Sequence, residues 1–209
     1  MKTIAMASQK GGVGKSTISI HLAVTAHLDN KNVLLVDLDP HSKTATRWAE
    51  NRVSKDPVVV QAELGDIDAL IKQAKDEQFD YVILDCPPYV NDVVSEVTKY
   101  ADYTLVPTQP NFPDLQTLFE VVEQVEPPYS IVLSRTKSKR NGMEVSTMRD
   151  VRNLVIENNL PIYEGAITNR DDYSDALYNG ESVNEFDSNS KSTQEVEQLY
   201  KWLKEQTNG

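Results

Sequence analysis

Residues Lys10-Gly11-Gly12-Val13-Gly14-Lys15-Ser16-Thr17 stand between two apolar segments. Before them, Thr3–Ser8 reads as a buried strand; after them, the apolar-periodic stretch Ser16–Leu28 reads as a helix. Strand, glycine-rich turn and helix is the context in which a phosphate-binding loop is built. The glycines let successive backbone N–H groups curl around an anion, and the N-terminus of the helix adds partial positive charge. On this reading residues 10–17 cradle nucleotide phosphates. Lys15 neutralises the β- and γ-phosphates, and the Ser16 hydroxyl ligates Mg²⁺. The run departs from the general pattern G-x-x-x-x-G-K-[ST] at its first position, which is Gln9, and a second lysine, Lys10, opens the loop.

Further apolar runs of strand length alternate with helical patterns. The strand candidates are Thr3–Ser8, Asn32–Asp37, Val58–Gln61, Tyr81–Asp85, Tyr103–Thr108, Ser130–Ser134 and Glu164–Ile167. The helix candidates are Ser16–Leu28, Lys43–Asn51, Ile67–Glu77, Val90–Tyr100, Leu115–Val125, Val145–Asn158 and Ser192–Gln206. Near-continuous apolar strands are covered on both faces. The pattern therefore predicts an α/β fold, a mostly parallel twisted sheet with helices on both faces. In such sheets ligands bind beyond the carboxyl ends of the strands.

Two strands end in carboxylates: Val36-Asp37-Leu38-Asp39-Pro40 and Ile83-Leu84-Asp85-Cys86-Pro87-Pro88. Phosphoryl transfer needs a placed Mg²⁺, neutralised charge and an oriented water. Asp85 is the expected metal residue, with Asp37 assisting, usually through a water ligand. Aspartates after a strand also cap the next helix, so that role stays open for Asp37 and Asp39.

The loop KGGVGKST resembles the deviant Walker A motif of the ParA/MinD ATPases, and the resemblance extends along nearly the whole chain. VDLDP and YVILDCPP are similar to signatures of that family, as are Thr108-Gln109-Pro110 with Asp114. Ala166-Ile167-Thr168-Asn169-Arg170 resembles the late strand and arginine-bearing loop of small ParA and ParF partition proteins. The resemblance implies a deviant, SIMIBI-like P-loop NTPase occupying residues 1–209 as a single domain, without an N-terminal helix-turn-helix extension. It implies ATP as nucleotide, weak basal hydrolysis, Lys10 reaching phosphates held by a partner subunit, and Asp39 orienting the attacking water. The base would lie against loops beginning near Arg135 and Thr168. One departure is His41, where the family usually continues DP with glutamine.

Charge bears on partners. The chain of 209 residues carries 21 Lys and Arg against 32 Asp and Glu, a net −11, unpromising for nucleic acid at first sight. Residues 135–152, however, hold Arg135, Lys137, Lys139, Arg140, Arg149 and Arg152 against Glu144 and Asp150. With the resemblance this predicts an ATP-dependent homodimer, or filaments, binding nonspecific double-stranded DNA through Lys137, Lys139, Arg140 and Arg170, with salt-sensitive affinity. A centromere-binding adaptor of ParB or ParG type would stimulate hydrolysis and so drive plasmid or chromosome segregation.

Neither a signal-like segment nor an apolar run of transmembrane length occurs, so the expected location is cytoplasmic; the resemblance implies association with the nucleoid. The single cysteine, Cys86, cannot supply the ligands of an iron–sulfur cluster within one chain. A MinD-like membrane helix is the counter-reading for the last helix. There Val196, Leu199, Tyr200 and Leu203 share a face, but Glu195, Glu197 and Glu205 sit beside Lys201 and Lys204, against the basic polar side of a membrane-surface helix. The other alternative is an ATP-dependent ligase or synthetase on the same loop, which needs a second pocket for a small carboxylate.

Overall fold

The computed structural model describes residues 1–88, 92–138 and 143–207. Six strands form one all-parallel sheet. They are β1 (Lys2–Met6), β2 (Val33–Asp37), β3 (Val58–Gln61), β4 (Tyr81–Asp85), β5 (Tyr103–Thr108) and β6 (Tyr129–Leu133), in spatial order β3-β2-β4-β1-β5-β6. The strands alternate between two apolar layers, as the period of two requires. Ile4, Met6, Leu35, Ile83 and Leu105 point into one layer. Ala5, Leu34, Val36, Val82, Leu84 and Val106 point into the other. Both sets are buried, which is why the strands read as continuous apolar runs rather than as alternation.

One layer is closed by α1 (Lys15–Leu28), α2 (Thr44–Asn51), α7 (Asp171–Tyr178), α8 (Val183–Phe186) and α9 (Lys191–Thr207). The other is closed by α3 (Ile67–Asp76), α4 (Asp92–Thr98), α5 (Phe112–Val122) and α6 (Ser146–Glu157). α1 leaves the interior strand β1 toward one face, and α5 leaves β5 toward the other. A crevice at the carboxyl ends of these strands results.

Three expectations are corrected. Glu164–Ile167 is not a seventh strand: isolated parallel bridges, Ile131↔Ile162 and Thr136↔Thr168, flank it on either side, and at its end the Ile167 N–H donates to the Leu133 carbonyl at 2.9 Å. Between them the chain bends at Gly165, where a Cβ would lie 2.5 Å from the Tyr163 ring. Arg152 ties that bend by donating to the carbonyls of Tyr163 and Gly165. Secondly, α5 begins three residues before the expected Leu115. The Asn111 side chain accepts the Asp114 N–H at 3.1 Å, capping a first turn that contains Pro113. Thirdly, α7 and α8 were not foreseen, although Ser182 and Glu185 form a capping box. The expected helix start at Val90 lies outside the described residues.

The apolar face of α9 is packed on the domain. Val196, Leu199, Tyr200 and Leu203 are buried, Trp202 meets the rings of Tyr103 and Tyr163, and Tyr200 and Lys204 both donate to Asp29 at 2.9 Å. Among the described residues no helix is long and apolar enough to cross a membrane.

Candidate nucleotide-binding site

The turn after β1 takes the shape that its glycines allow. Gly12 and Gly14 have φ of 77° and 94°, the left-handed region where a side chain is strained. Gly14 is the N-cap of α1, and its carbonyl accepts the Ile18 N–H at 2.9 Å. The Lys15 side chain folds back over the loop and donates to the Lys10 carbonyl at 3.0 Å. It is only 6% exposed. Burial draws its pKa down, and the Asp85 and Asp39 carboxylates act against that. Left-handed glycines with a lysine folded back across the loop suit a phosphate cradle.

The loop opens into a cleft of about 600 Å³, within the range of small-ligand sites. One wall carries Asp39, Ser42 and Thr44; the other carries Thr168, Asn169 and residues of α7, including Tyr173 and Leu177. Arg135 and Thr168, where the resemblance placed the base, both line it.

Asp85 ends β4 fully buried behind the loop. Its Oδ1 accepts the Ser19 hydroxyl at 3.2 Å, and its Oδ2 is buried without a hydrogen-bond partner. Burial pushes the carboxyl up to about 7; Asp37 adds to this, whereas the Ser16 hydroxyl and Lys15 pull it down. An orphaned carboxylate oxygen beside the Ser16 hydroxyl fits a cation. No cluster of three or more His, Cys, Asp or Glu side chains suited to a metal occurs among the described residues.

Asp37, for which both assistance to the metal and capping of the next helix were expectations, makes contacts of the second kind. Its Oδ1 accepts the Asp39 N–H at 3.1 Å, and its Oδ2 accepts both the N–H and the hydroxyl of Thr46, at 2.9 and 3.0 Å. Oδ2 thus anchors the first turn of α2, and Oδ1 fixes the turn that follows β2. Asp39, by contrast, faces the cleft. It accepts the N–H groups of His41 and Ser42, at 2.9 and 3.0 Å, and the Ser42 hydroxyl. Burial alone would raise its pKa, but these donors hold it below the usual carboxylate range.

Lys10 is ion-paired with Asp114 of α5 in its own chain, yet its side chain remains 41% exposed at the rim of the loop. Of the expected DNA contacts, Lys137 is exposed, and Lys139 and Arg140 lie outside the described residues. Arg170 is half-buried, lines the cleft and pairs with Glu195 of α9 at 2.9 Å. Arg152, counted in the basic stretch, likewise props the Gly165 bend and pairs with Glu144.

Sequence reasoning missed Ser42, which holds Asp39, and the side chains of Gln109, Ser134 and Arg135, which donate to carbonyls of the phosphate loop. The first follows the DP pair closely enough to have been suspected. The others come from the ends of β5 and β6, far away in the chain.

The sequence matches the CobQ/CobB/MinD/ParA nucleotide binding domain over residues 4–183. A maintenance of carboxysome distribution protein A from Gloeobacter kilaueensis is 28% identical over 211 residues, covering 98% of this chain and 93% of that protein. The chromosome partitioning protein ParA of Caulobacter vibrioides is 27% identical over 202 residues, covering 73% and 76%. Among solved structures, the septum site-determining protein MinD of Pyrococcus horikoshii, complexed with Mg-ADP, superimposes with a TM-score of 0.74 at 16% identity. That superposition spans 97% of this chain and 95% of the other. The chain belongs to the CobQ/CobB/MinD/ParA nucleotide-binding family, and within it to the ParA/MinD ATPases.

Proposed function

We propose that the chain is an ATP-driven partition switch. ATP occupies the cleft, and two copies close face to face as a sandwich dimer. The closed dimer binds double-stranded DNA without sequence preference, and a centromere-binding adaptor of ParB or ParG type stimulates hydrolysis and release. The carrying observation is Lys10: it stands at the rim of the loop, partly exposed and held by Asp114, rather than inside its own cleft. A cation so placed can serve phosphates presented by a second copy.

The residues divide the chemistry. Loop amides and Lys15 hold the phosphates and neutralise their charge. Ser16 and Asp85 would hold Mg²⁺, which when bound would supply charge neutralisation at the phosphates. Asp39 orients the attacking water once the Ser42 turn releases it. Lys137, with Lys139 and Arg140, supplies phosphate contacts that a dimer doubles. The two nucleotide states then differ in DNA affinity, which is what a switch requires.

The cargo has a second reading. The relative matched across 98% of this chain is named for carboxysome distribution, which favours a positioned protein assembly as the alternative to a plasmid or chromosome. A membrane-bound mode is less favoured because the apolar face of α9 is already covered. The test is binding to random-sequence duplex DNA with ADP and with ATP across a salt series, using wild type and Lys10→Ala. ATP-dependent binding that weakens with salt and is lost in the variant supports the partition reading. No binding in any state overturns the DNA part and directs the search to protein cargo.

A further inference from the structure

A phosphate cradle turns successive N–H groups inward, so the carbonyls of the same peptides face outward and need donors. In this chain three side chains provide them. Arg135 donates an Nη1–H to the Gly12 carbonyl at 2.8 Å, and the Gln109 amide donates to the same oxygen at 3.1 Å. Ser134 donates its hydroxyl to the Val13 carbonyl at 2.5 Å. Gln109 directly follows β5, and Ser134 and Arg135 directly follow β6, so the outer wall of the loop hangs on the two strands beyond β1.

The backbone is shaped for this. Arg135 has φ of 48°, a left-handed conformation that a residue with a side chain keeps only where its surroundings enforce it. The enforcement is visible on either side: the Ser134 N–H donates to the Thr108 carbonyl at 2.8 Å and the Thr136 N–H to the Ile167 carbonyl at 3.1 Å. The guanidinium is thereby delivered to Gly12 from an exposed position at the mouth of the cleft.

We infer that Arg135 and Gln109 are positioning residues that act through the Gly12 carbonyl to preset the phosphate loop, and so set nucleotide affinity. The inference rests on the nucleotide-site reading given above. It goes beyond that reading by assigning affinity to two side chains that need make no contact with the phosphates.

The test measures ADP affinity with a fluorescent analogue and, on the nucleotide-free full-length chain, amide hydrogen exchange over residues 10–15. The proteins are wild type, Arg135→Ala, Gln109→Ala, the double variant and Arg135→Lys. Each single alanine variant is expected to weaken ADP roughly fivefold, the size of one hydrogen bond partly covered by its neighbour. The double variant should lose more than the product of the two, because both donors serve one oxygen. Exchange at the loop should rise while the melting temperature stays within a few degrees, and Arg135→Lys should recover most of the affinity. Wild-type affinity together with unchanged loop exchange in the double variant overturns the inference. Absence of nucleotide binding by the wild type is a separate outcome, and it overturns the nucleotide-site reading on which the inference rests.

Discussion

His21 lies in the middle of α1, the helix that the phosphate loop launches, and it is fully buried. Its Nδ1 accepts the Val183 N–H at 3.2 Å, its ring meets that of Tyr173 at 5.2 Å, and its Nε2 is buried without a hydrogen-bond partner. Burial lowers its pKa from 6.5 to about 3. The unfolded chain takes up a proton as pH falls through 6.5, and the native chain does not until about 3. The stabilisation is therefore complete above 6.5 and lost progressively toward 3. At pH 5 the loss assigned to this one residue is about 2 kcal/mol, from 1.5 pH units at about 1.36 kcal/mol each. The assay is urea unfolding at pH 7.5 and 5.0, without nucleotide, of wild type and His21→Phe. The variant keeps a ring beside Tyr173 and loses the acceptor for Val183, an offset of about 1–3 kcal/mol that is the same at both pH values. Wild type should lose about 2 kcal/mol more than the variant between the two conditions. Equal losses, within a few tenths, would refute the reasoning.

Two further outcomes follow from the site and its supports. Lys15→Ala removes the cation over the cradle and should weaken ADP roughly 10- to 100-fold, the value of a hydrogen bond to a charged group; titration with a fluorescent analogue reads this, and an unchanged affinity counts against the phosphate assignment. The Arg52 side chain is 4% exposed, pairs with Glu185 at 2.6 Å and also donates to the carbonyls of Asp56 and Gly180. Arg52→Ala should therefore destabilise by about 3–5 kcal/mol in urea unfolding, and a loss below about 1 kcal/mol would show that the cluster relaxes without it.

What the sequence made legible is local. The phosphate loop, six strands, the extents of α1 and α3 and the apolar face of α9 each follow from a pattern within a few residues, and the structure has them near their expected bounds. Much of the remainder turns on pairing at a distance. Nothing in Glu164–Ile167 marks it as a bend between two isolated bridges; that is decided by Tyr163 packing on Gly165 and by Arg152 arriving from α6. Arg170 looks like a free basic residue until Glu195, 25 positions later, is brought beside it. Asp37 and Asp39 are two residues apart with the same chemistry, yet one is spent on Thr46 and the other faces the cleft. The capping box at Ser182 and the i, i+3, i+4 spacing of Tyr173, Ala176 and Leu177 were readable signals for α8 and α7.

Closure of two chains over ATP is the central claim. Its most direct test is the mass in solution, by light scattering, of Asp39→Ala with ADP and with ATP, beside the same variant carrying Lys10→Ala. Asp39→Ala should bind ATP without completing hydrolysis. With ATP it should run near twice the chain mass of 23.5 kDa, returning to a single chain with ADP or when Lys10 is also removed. A monomer with saturating ATP would contradict the account.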